Sequence, residues 1–393
     1  MKDAVIVALG RSPIGKAPKG VLRLSRPEDI GAQVLTGVLK QVPQLRPHDI
    51  DDVIVGCAFP EAEQGMNLAK IIISKAVPGT DIPGQTVNRF CSSGLQTIAS
   101  AANAIMAGQA DVMIAGGVEF MSTIPMGGNS AYPNPDLMAT QPQAYTSMGI
   151  TAENVAEKYG VTRQMQDEFA MESHRRAAEA RSSGRFGEEI IPVEAVTTDL
   201  DTAGHTRMGK VTVSDDEGIR PQTTMESLGK LRTVFKAGGT VTPGNASQTS
   251  DGAAFAVLMS AEKAQELGIK PLARFVGFAA AGVPAELMGT GPIAAIPKAL
   301  KRAGLEIADI DLFELNEAFA SQALASIRTL GLDQAKVNVN GGAIAMGHPL
   351  GCTGTLLTVK LIHELRRRSA RYGVVSMCIG GGMGAAGIFE RIP

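Results

Sequence analysis

Three residues in this 393-residue sequence have the type and setting to do covalent and proton-transfer chemistry. Cys91 stands in TVNRFCSSGLQ, where an apolar strand runs into a helix that begins at Ser92, Ser93 and Gly94. A thiol at a helix N-terminus is expected to ionise more readily, its pKa falling from about 8.5 to roughly 3.5–7.5, which raises its nucleophilic fraction. A buried structural cysteine is the competing reading of Cys91 on its own. His348 lies in GGAIAMGHPLGCTG, a glycine-dense loop that presents an imidazole with little bulk around it, as a base for a thiol proton requires. His48, His174, His205 and His363 sit among polar or charged neighbours and read as surface residues. Cys378, in SMCIGGGMGAAG, ends a strand and runs into glycines whose bare N–H groups can form an anion-holding nest. A second thiol there suits acid/base work at a carbon acid.

What could bring these groups together is an internal repeat. RPHDIDDVIVGCAFPE around Ile50 and EIADIDLFELNEAFAS around Ile310 share an Asp-Ile-Asp turn followed by a short apolar strand. Each is preceded by a strand (4–9 and 273–278) and an amphipathic helix (30–41 and 293–303). Each is followed by strand, turn, long helix and strand, with Cys91 and His348 at corresponding strand-to-helix corners. The fold class is therefore α/β, with two similar halves packed about a pseudo-twofold axis. Alternating strands and helices predict mostly parallel sheets covered on both faces. Active groups are expected at the strand ends that face the junction.

The halves are taken as residues 1–270 and 271–393, the first carrying an inserted lobe at about 120–248. That insert holds Pro125, Pro133, Pro135 and Pro142, which break regular structure. It also holds a helix with Thr162 as N-cap and Gly184 placed to end it. Its methionines, as in EFMSTIPMGG, fit either plain packing or a malleable lining for an apolar ligand.

Composition narrows the function classes. A net charge of −2, from 37 basic and 39 acidic residues, gives no field to hold a polyanion, so nucleic acid is not an expected partner. No apolar run approaches a membrane span, and the short run at 4–9 reads as a first strand, not a secretory signal. Four scattered cysteines, Cys57, Cys91, Cys352 and Cys378, read as free thiols of a reducing, cytoplasmic compartment. His348 and Cys352 lack the further ligands of a zinc site, so no metal is expected.

VNRFCSSGLQ, NEAFA, GGAIAMGHPLGCTG and CIGGGMG, in this order and spacing, resemble the thiolase family across the whole chain. The resemblance implies a five-layered α/β/α/β/α core of two similar halves plus a loop domain, assembled as a homodimer or homotetramer. It implies that Cys91 carries an acyl group as a thioester, and that His348 activates Cys91 and then the incoming thiol of coenzyme A. Cys378 would protonate the departing acetyl-CoA carbanion. Asn316, which alone could be a strand-end cap, would orient a water that stabilises the enolate oxygen with His348. The N–H groups of Cys91 and Gly380 would hold the tetrahedral oxyanion. Coenzyme A, a substrate and not a resident cofactor, would meet Arg220, Ser227 and Ser247, with Phe235 and Phe319 lining the pantetheine tunnel and Met148 beside the substrate.

Ser147 stands where the biosynthetic subgroup has histidine, Cys352 replaces alanine, and Pro243 replaces an alanine in VTPGNAS. The first two features resemble the degradative subgroup, which cleaves 3-ketoacyl-CoA to acetyl-CoA and a shortened acyl-CoA in fatty-acid β-oxidation and can work beside a hydratase/dehydrogenase partner. Alternatives are an acetyl-CoA acetyltransferase with the same catalytic groups, a non-catalytic acyl-CoA or lipid binder, and a cysteine hydrolase, which leaves Cys378 without a role.

Overall fold

The computed structural model describes residues 2–200 and 205–393. The first half runs through β1 (Ala4–Arg11), β2 (Gly15–Lys16), α1 (Pro27–Leu39), β3 (Asp52–Gly56), α2 (Leu68–Ala76), β4 (Gly84–Val87), α3 (Ser93–Met106) and β5 (Val112–Phe120). The inserted segment adds α4 (Pro135–Thr140), α5 (Met148–Tyr159), α6 (Arg163–Ser182), the hairpin β6 (Val193–Leu200) and β7 (Thr206–Val213), and α7 (Met225–Gly229). The chain then returns as β8 (Ser250–Ser260) and α8 (Ala261–Glu266). The second half follows as β9 (Ala273–Gly282), α9 (Gly291–Ala303), β10 (Leu312–Leu315), α10 (Ala320–Leu330), α11 (Ala343–Met346), α12 (Leu350–Arg368), β11 (Tyr372–Ile379) and β12 (Met383–Arg391).

Two aspartates show how deeply the repeat is built in. Asp51, before β3, accepts from the N–H groups of Asp111 and Val112 at 2.7 and 2.9 Å. Asp311, before β10, accepts from those of Arg371 and Tyr372 at 2.7 and 3.0 Å. In both halves the short side chain ties the turn before one strand to the first amides of its parallel neighbour.

The strands lie in the order β10-β11-β12-β9-β1-β8-β5-β3-β4, so the run β3-β5-β8-β1 of the first half is matched by β10-β11-β12-β9 in the second. The two runs meet only at Val5↔Arg274 and Ile6↔Ala273. The expectation of mostly parallel sheets is corrected here. Parallel pairing is confined to β3 with β4 and β5, and to β10 with β11; the other pairs are antiparallel. A parallel return needs a crossover of a dozen or more residues, whereas β11 reaches β12 through the glycines 380–382 and must fold back as a hairpin. In the first half β8 arrives after the long insert and lies antiparallel between β5 and β1.

The two-residue period of a strand sends alternate residues to opposite faces, and in β1, β5 and β8 both faces are buried. Val5 and Val7 of β1 pack with Ile30, Val34 and Val38 of α1 and Ile72 of α2. Ile6 of β1, Ala256 of β8 and Met377 of β11 share a central core with α3 and α12. Ala386 and Ile388 of β12 pack against α9 and α10. Three cores separated by the two runs of this one sheet make the α/β/α/β/α layering. Helix α1 starts earlier than periodicity suggested, at Pro27, whose fixed φ and acidic followers Glu28 and Asp29 suit a first turn. Thr162 caps α6 as expected, its hydroxyl accepting from the Met165 N–H at 3.3 Å.

In the central layer α3 and α12 touch backbone to backbone. A β-carbon on Gly94 would lie 2.7 Å from the Thr355 nitrogen, and one on Gly354 would lie 2.1 Å from the Leu95 nitrogen. The contact is reciprocal, as a pseudo-twofold axis between the helices demands. Gly354→Ala is therefore expected to force the helices apart and destabilise the fold by about 1–3 kcal/mol or more. Urea unfolding of the variant with the slope unchanged would measure it.

Candidate active site

Each candidate residue sits where regular structure stops. Cys91 lies in the 3-10 turn Phe90–Ser92 between β4 and α3, and Phe90 takes the left-handed conformation (φ 42°) that the sharp corner requires. His348 immediately precedes Pro349 and α12, with its backbone N–H bonded to the Gln248 carbonyl at 3.1 Å. Asn316 follows β10, and Cys378 is the penultimate residue of β11. Cys91, Asn316 and Cys378 thus meet the strand-end location expected from the topology; His348 does not, because it follows α11, and the strand expected before its corner is reduced to the single bridge Phe313↔Val337.

The side chains fall into two neighbouring pairs, Cys91 with Cys378 and His348 with Asn316. The backbone N–H groups of Gly380 and of Cys91 itself favour the ionised form of the Cys91 sulfur. Cys378 is fully buried close enough to Cys91 to feel its charge. Asn316 Nδ2 lies 3.3 Å from His348 Nε2, and His348 Nδ1 lies 2.6 Å from the Thr353 hydroxyl. That hydroxyl donates to the Pro349 carbonyl at 3.0 Å, so it accepts the Nδ1 proton. Nε2 is left with a lone pair toward the site, where Asn316 donates to it. The Asn316 Oδ1 is buried and has no protein partner, an acceptor suited to a water or a polar substrate atom.

Burial decides the charge state, and it corrects the expectation of an acidified thiol. Cys91 packs with Ala17, Ala58, Met121 and Leu350, and desolvation pushes its pKa up to about 11; the two N–H donors offset only part of this. The turn at Cys91 is also a single 3-10 turn, so the helix end does not act on the sulfur alone. Burial and the nearby Cys91 likewise push Cys378 well above the usual thiol range. Burial holds His348 down at about 4. At neutral pH the empty site holds two thiols and a neutral imidazole.

The ligand-contact candidates fall into two groups. Phe235 and Phe319 meet edge to face at 6.1 Å between centroids, a favoured aromatic geometry. Phe319 and Met148 pack with Cys378, Met288 and Ala246. Ser247 donates its N–H to the Ala318 carbonyl at 3.0 Å, beside Phe319. These residues gather beside Cys378. Arg220 and Ser227 lie on the exposed inserted segment. The Ser227 hydroxyl is engaged with Thr224 in the capping box of α7, and α7 leans on Gly244 through Leu228.

His174, read from sequence as a surface residue, is 3% exposed. Its Nδ1 accepts the Arg220 N–H at 3.1 Å, and burial, aided by the Arg220 charge, lowers its pKa to about 4. His363 is also partly buried, while His48 and His205 are exposed. Sequence reasoning missed Thr353, Glu119 and Glu317. Glu317 accepts from Ser173 Oγ, Asn338 Nδ2 and the Ile344 N–H at 2.7, 2.8 and 3.2 Å, which pins the loop before His348 to the end of β10. The available signal was a carboxylate at the end of an apolar strand, as in VMIAGGVEF and LFELNEAF.

Two family models match the chain: the thiolase N-terminal domain over residues 4–262 and the thiolase C-terminal domain over residues 269–391. The chain belongs to the thiolase family. It is 57% identical over 391 residues to the 3-ketoacyl-CoA thiolase of Bacillus subtilis, covering 99% of this chain and 100% of that one. It is 48% identical over 392 residues to the peroxisomal 3-ketoacyl-CoA thiolase A of mouse, covering 99% and 91%. A solved structure, the Bacillus anthracis acetyl-CoA acetyltransferase, superposes with a TM-score of 0.89 at 41% identity, covering 100% and 99%. This thiolase has no helix among the described residues long and apolar enough to cross a membrane.

The neutral, buried histidines carry a pH signature. His348 and His174 are displaced from 6.5 to about 4 in the fold, so only the unfolded chain gains their protons between those values. Their stabilising effect is complete above pH 6.5 and is lost as pH falls toward 4, on the order of 3 kcal/mol for each. Chemical unfolding at pH 7, 5.5 and 4.5 should show stability falling through this window, and less steeply in His174→Gln.

Proposed function

We propose that this thiolase cleaves 3-ketoacyl-CoA with coenzyme A, giving acetyl-CoA and an acyl-CoA shortened by two carbons. One observation carries the reading: the Gly380 and Cys91 amides both favour the ionised form of one buried thiol, while a second buried thiol lies near enough to feel its charge. A cysteine hydrolase needs the first feature and has no use for the second. Names of relatives spanning the whole chain at 45–57% identity support the same substrate class.

In this reading His348 Nε2 takes the Cys91 proton as the sulfur bonds to C3 of the substrate. The amides then hold the oxyanion, each such donor being worth about 2.7–4 kcal/mol of barrier. The C2–C3 bond breaks as the carbonyl reforms. The electron pair passes to an acetyl-CoA enolate, whose oxygen lies near protonated Nε2 and Asn316. Cys378 gives its proton to C2, acetyl-CoA leaves, and the imidazolium restores the Cys378 proton. Neutral His348 then takes the proton of a second coenzyme A thiol, which attacks the acyl thioester. Cys91 departs as thiolate and recovers that proton from the imidazolium.

Because the resting groups are uncharged, thiolate forms at the moment of attack and not before. A neutral pair tolerates an apolar pocket of Met121, Leu350 and Phe319, where a standing ion pair would be costly. The reading extends to a dimer or tetramer working in the cytoplasm in fatty-acid degradation, with light scattering as the check on assembly. Arg220, Ser227, Ser247 and Phe235 are its coenzyme A contacts.

Cys91→Ala is expected to abolish thiolysis and condensation alike, a loss of at least about 10⁴-fold, while circular dichroism stays unchanged. Mass spectrometry after incubation with acetyl-CoA should show one acetyl group on Cys91 in the wild type and none in the variant. Rates on acetoacetyl-CoA against C8 to C16 3-ketoacyl-CoA decide the subtype. Turnover confined to acetoacetyl-CoA would replace degradation by acetyl transfer between two acetyl-CoA molecules.

A further inference from the structure

Glu119, at the end of β5, is 1% exposed, and among the described residues no lysine or arginine donates to its carboxylate. Neutral donors crowd it instead. Oε2 accepts from the Ala58 N–H at 2.7 Å and the Gly351 N–H at 2.8 Å. Oε1 accepts from the Phe59 N–H at 3.3 Å, from Gln64 Nε2 at 2.9 Å and, at 3.6 Å, from the Cys57 thiol. Ala58 and Phe59 follow β3, whereas Gly351 opens α12, three residues after His348. One carboxylate therefore bridges the two halves. A β-carbon on Gly351 would lie 2.7 Å from Glu119 Oε2 and 2.7 Å from the Cys57 Cα, so glycine is needed for the bridge to close. Leu350, next to the bridged amide, packs on Cys91.

We propose that Glu119 is a positioning residue of the thiolase site: its carboxylate fixes the start of α12, and with it His348, against the corner bearing Cys91, and presents a fixed negative charge to the Cys91 sulfur. This rests on the reading of Cys91 and His348 as nucleophile and base. Geometry carries the first clause, because the loop before His348 is tied down by Glu317 and the segment after it by Glu119. Placement supports the second, since Ala58, whose N–H the carboxylate accepts, packs with Cys91, and Glu119 adds a contribution, smaller than that of burial, to the rise of Cys91 and Cys352. The titratable groups facing this corner are Glu119, Cys57, Cys352, Cys378 and His348, with Arg11 reaching Cys352. Burial raises the Glu119 carboxyl above its ordinary range, and the Ala58, Gly351, Gln64 and Phe59 donors oppose that rise by favouring the charged form.

Two variants separate the clauses. Glu119→Gln removes the charge and keeps the size; Glu119→Asp keeps the charge and withdraws it from Gly351. Iodoacetamide labelling of Cys91 against pH, read by mass spectrometry, needs no substrate and so tests the charge independently of the proposed reaction. The labelling midpoint should move to lower pH by about 0.5–1.5 in Glu119→Gln and stay in place in Glu119→Asp. In thiolysis, Glu119→Asp should lose about 10- to 100-fold in kcat, with the KM for coenzyme A within about twofold. An unmoved midpoint in folded Glu119→Gln overturns the charge clause, and wild-type kcat in Glu119→Asp overturns the positioning clause. If a variant does not fold, hydrogen exchange on the wild-type chain decides. Slow exchange of the Gly351 amide supports the bridge, and exchange at the rate of an open loop overturns it.

Discussion

The backbone contact between α3 and α12 is the constraint on which the rest of the molecule depends. Two helices can approach until a β-carbon would strike the other's nitrogen only if glycine stands at both crossing points, and Gly94 and Gly354 do. Each helix begins at a corner that carries a reactive side chain, Cys91 before α3 and His348 before α12. The distance between the helix starts is thus set by the closest packing in the core and not by the loops that hold the chemistry. A loop could drift by an ångström at little cost. A helix pair buried between the two runs of the sheet cannot, because any separation opens space in the central core that these helices share with β5, β8 and β11.

Deep placement exacts a consequence in charge. The same burial that fixes Cys91 and His348 strips them of water, and desolvation is the largest influence on both, upward for the thiol and downward for the imidazole. The site is therefore preorganised in its dipoles and not in its charges. In the proposed reaction the Gly380 and Cys91 amides are in place before substrate arrives, and the proton moves only when a developing oxyanion gives those amides something to stabilise. Glu119 and Glu317 serve this arrangement from behind, each a carboxylate held by neutral donors that ties one end of the His348 segment to a strand end.

Much of the fold was legible because the repeat is written in short-range signals. The Asp-Ile-Asp turns, the glycine runs and the small residues after each strand are local, and the turns reappear as matched hydrogen bonds at Asp51 and Asp311. Cys91, His348 and Cys378 stood out for the same reason. What failed was whatever depended on distant chain. The antiparallel placement of β8 follows an insert of more than a hundred positions, so no local pattern announced it. The acidity of Cys91 was misjudged because its cover, Met121 and Leu350, comes from two remote segments. His174 looked like a surface histidine beside Arg175 and Arg176, yet it faces inward to the Arg220 amide.

The candidate site residues lie where the two halves of this chain disagree. The matched aspartates set the register, and within it Gly56 corresponds to Asn316, Cys57 to Glu317 and Val118 to Cys378. The first half keeps small or apolar groups at these places; the second places an amide on His348 Nε2, a carboxylate under the base loop and the second thiol. A symmetric pair of halves would offer two equivalent half-sites, each with a nucleophile or a base but not both in reach. Divergence at a few strand-end positions converts one scaffold into complementary corners, Cys91 from one half and His348, Asn316 and Cys378 from the other. The strand ends could diverge in this way because they lie outside the glycine contact that holds the halves together. The packing that makes the site rigid is thereby separate from the residues that make it reactive.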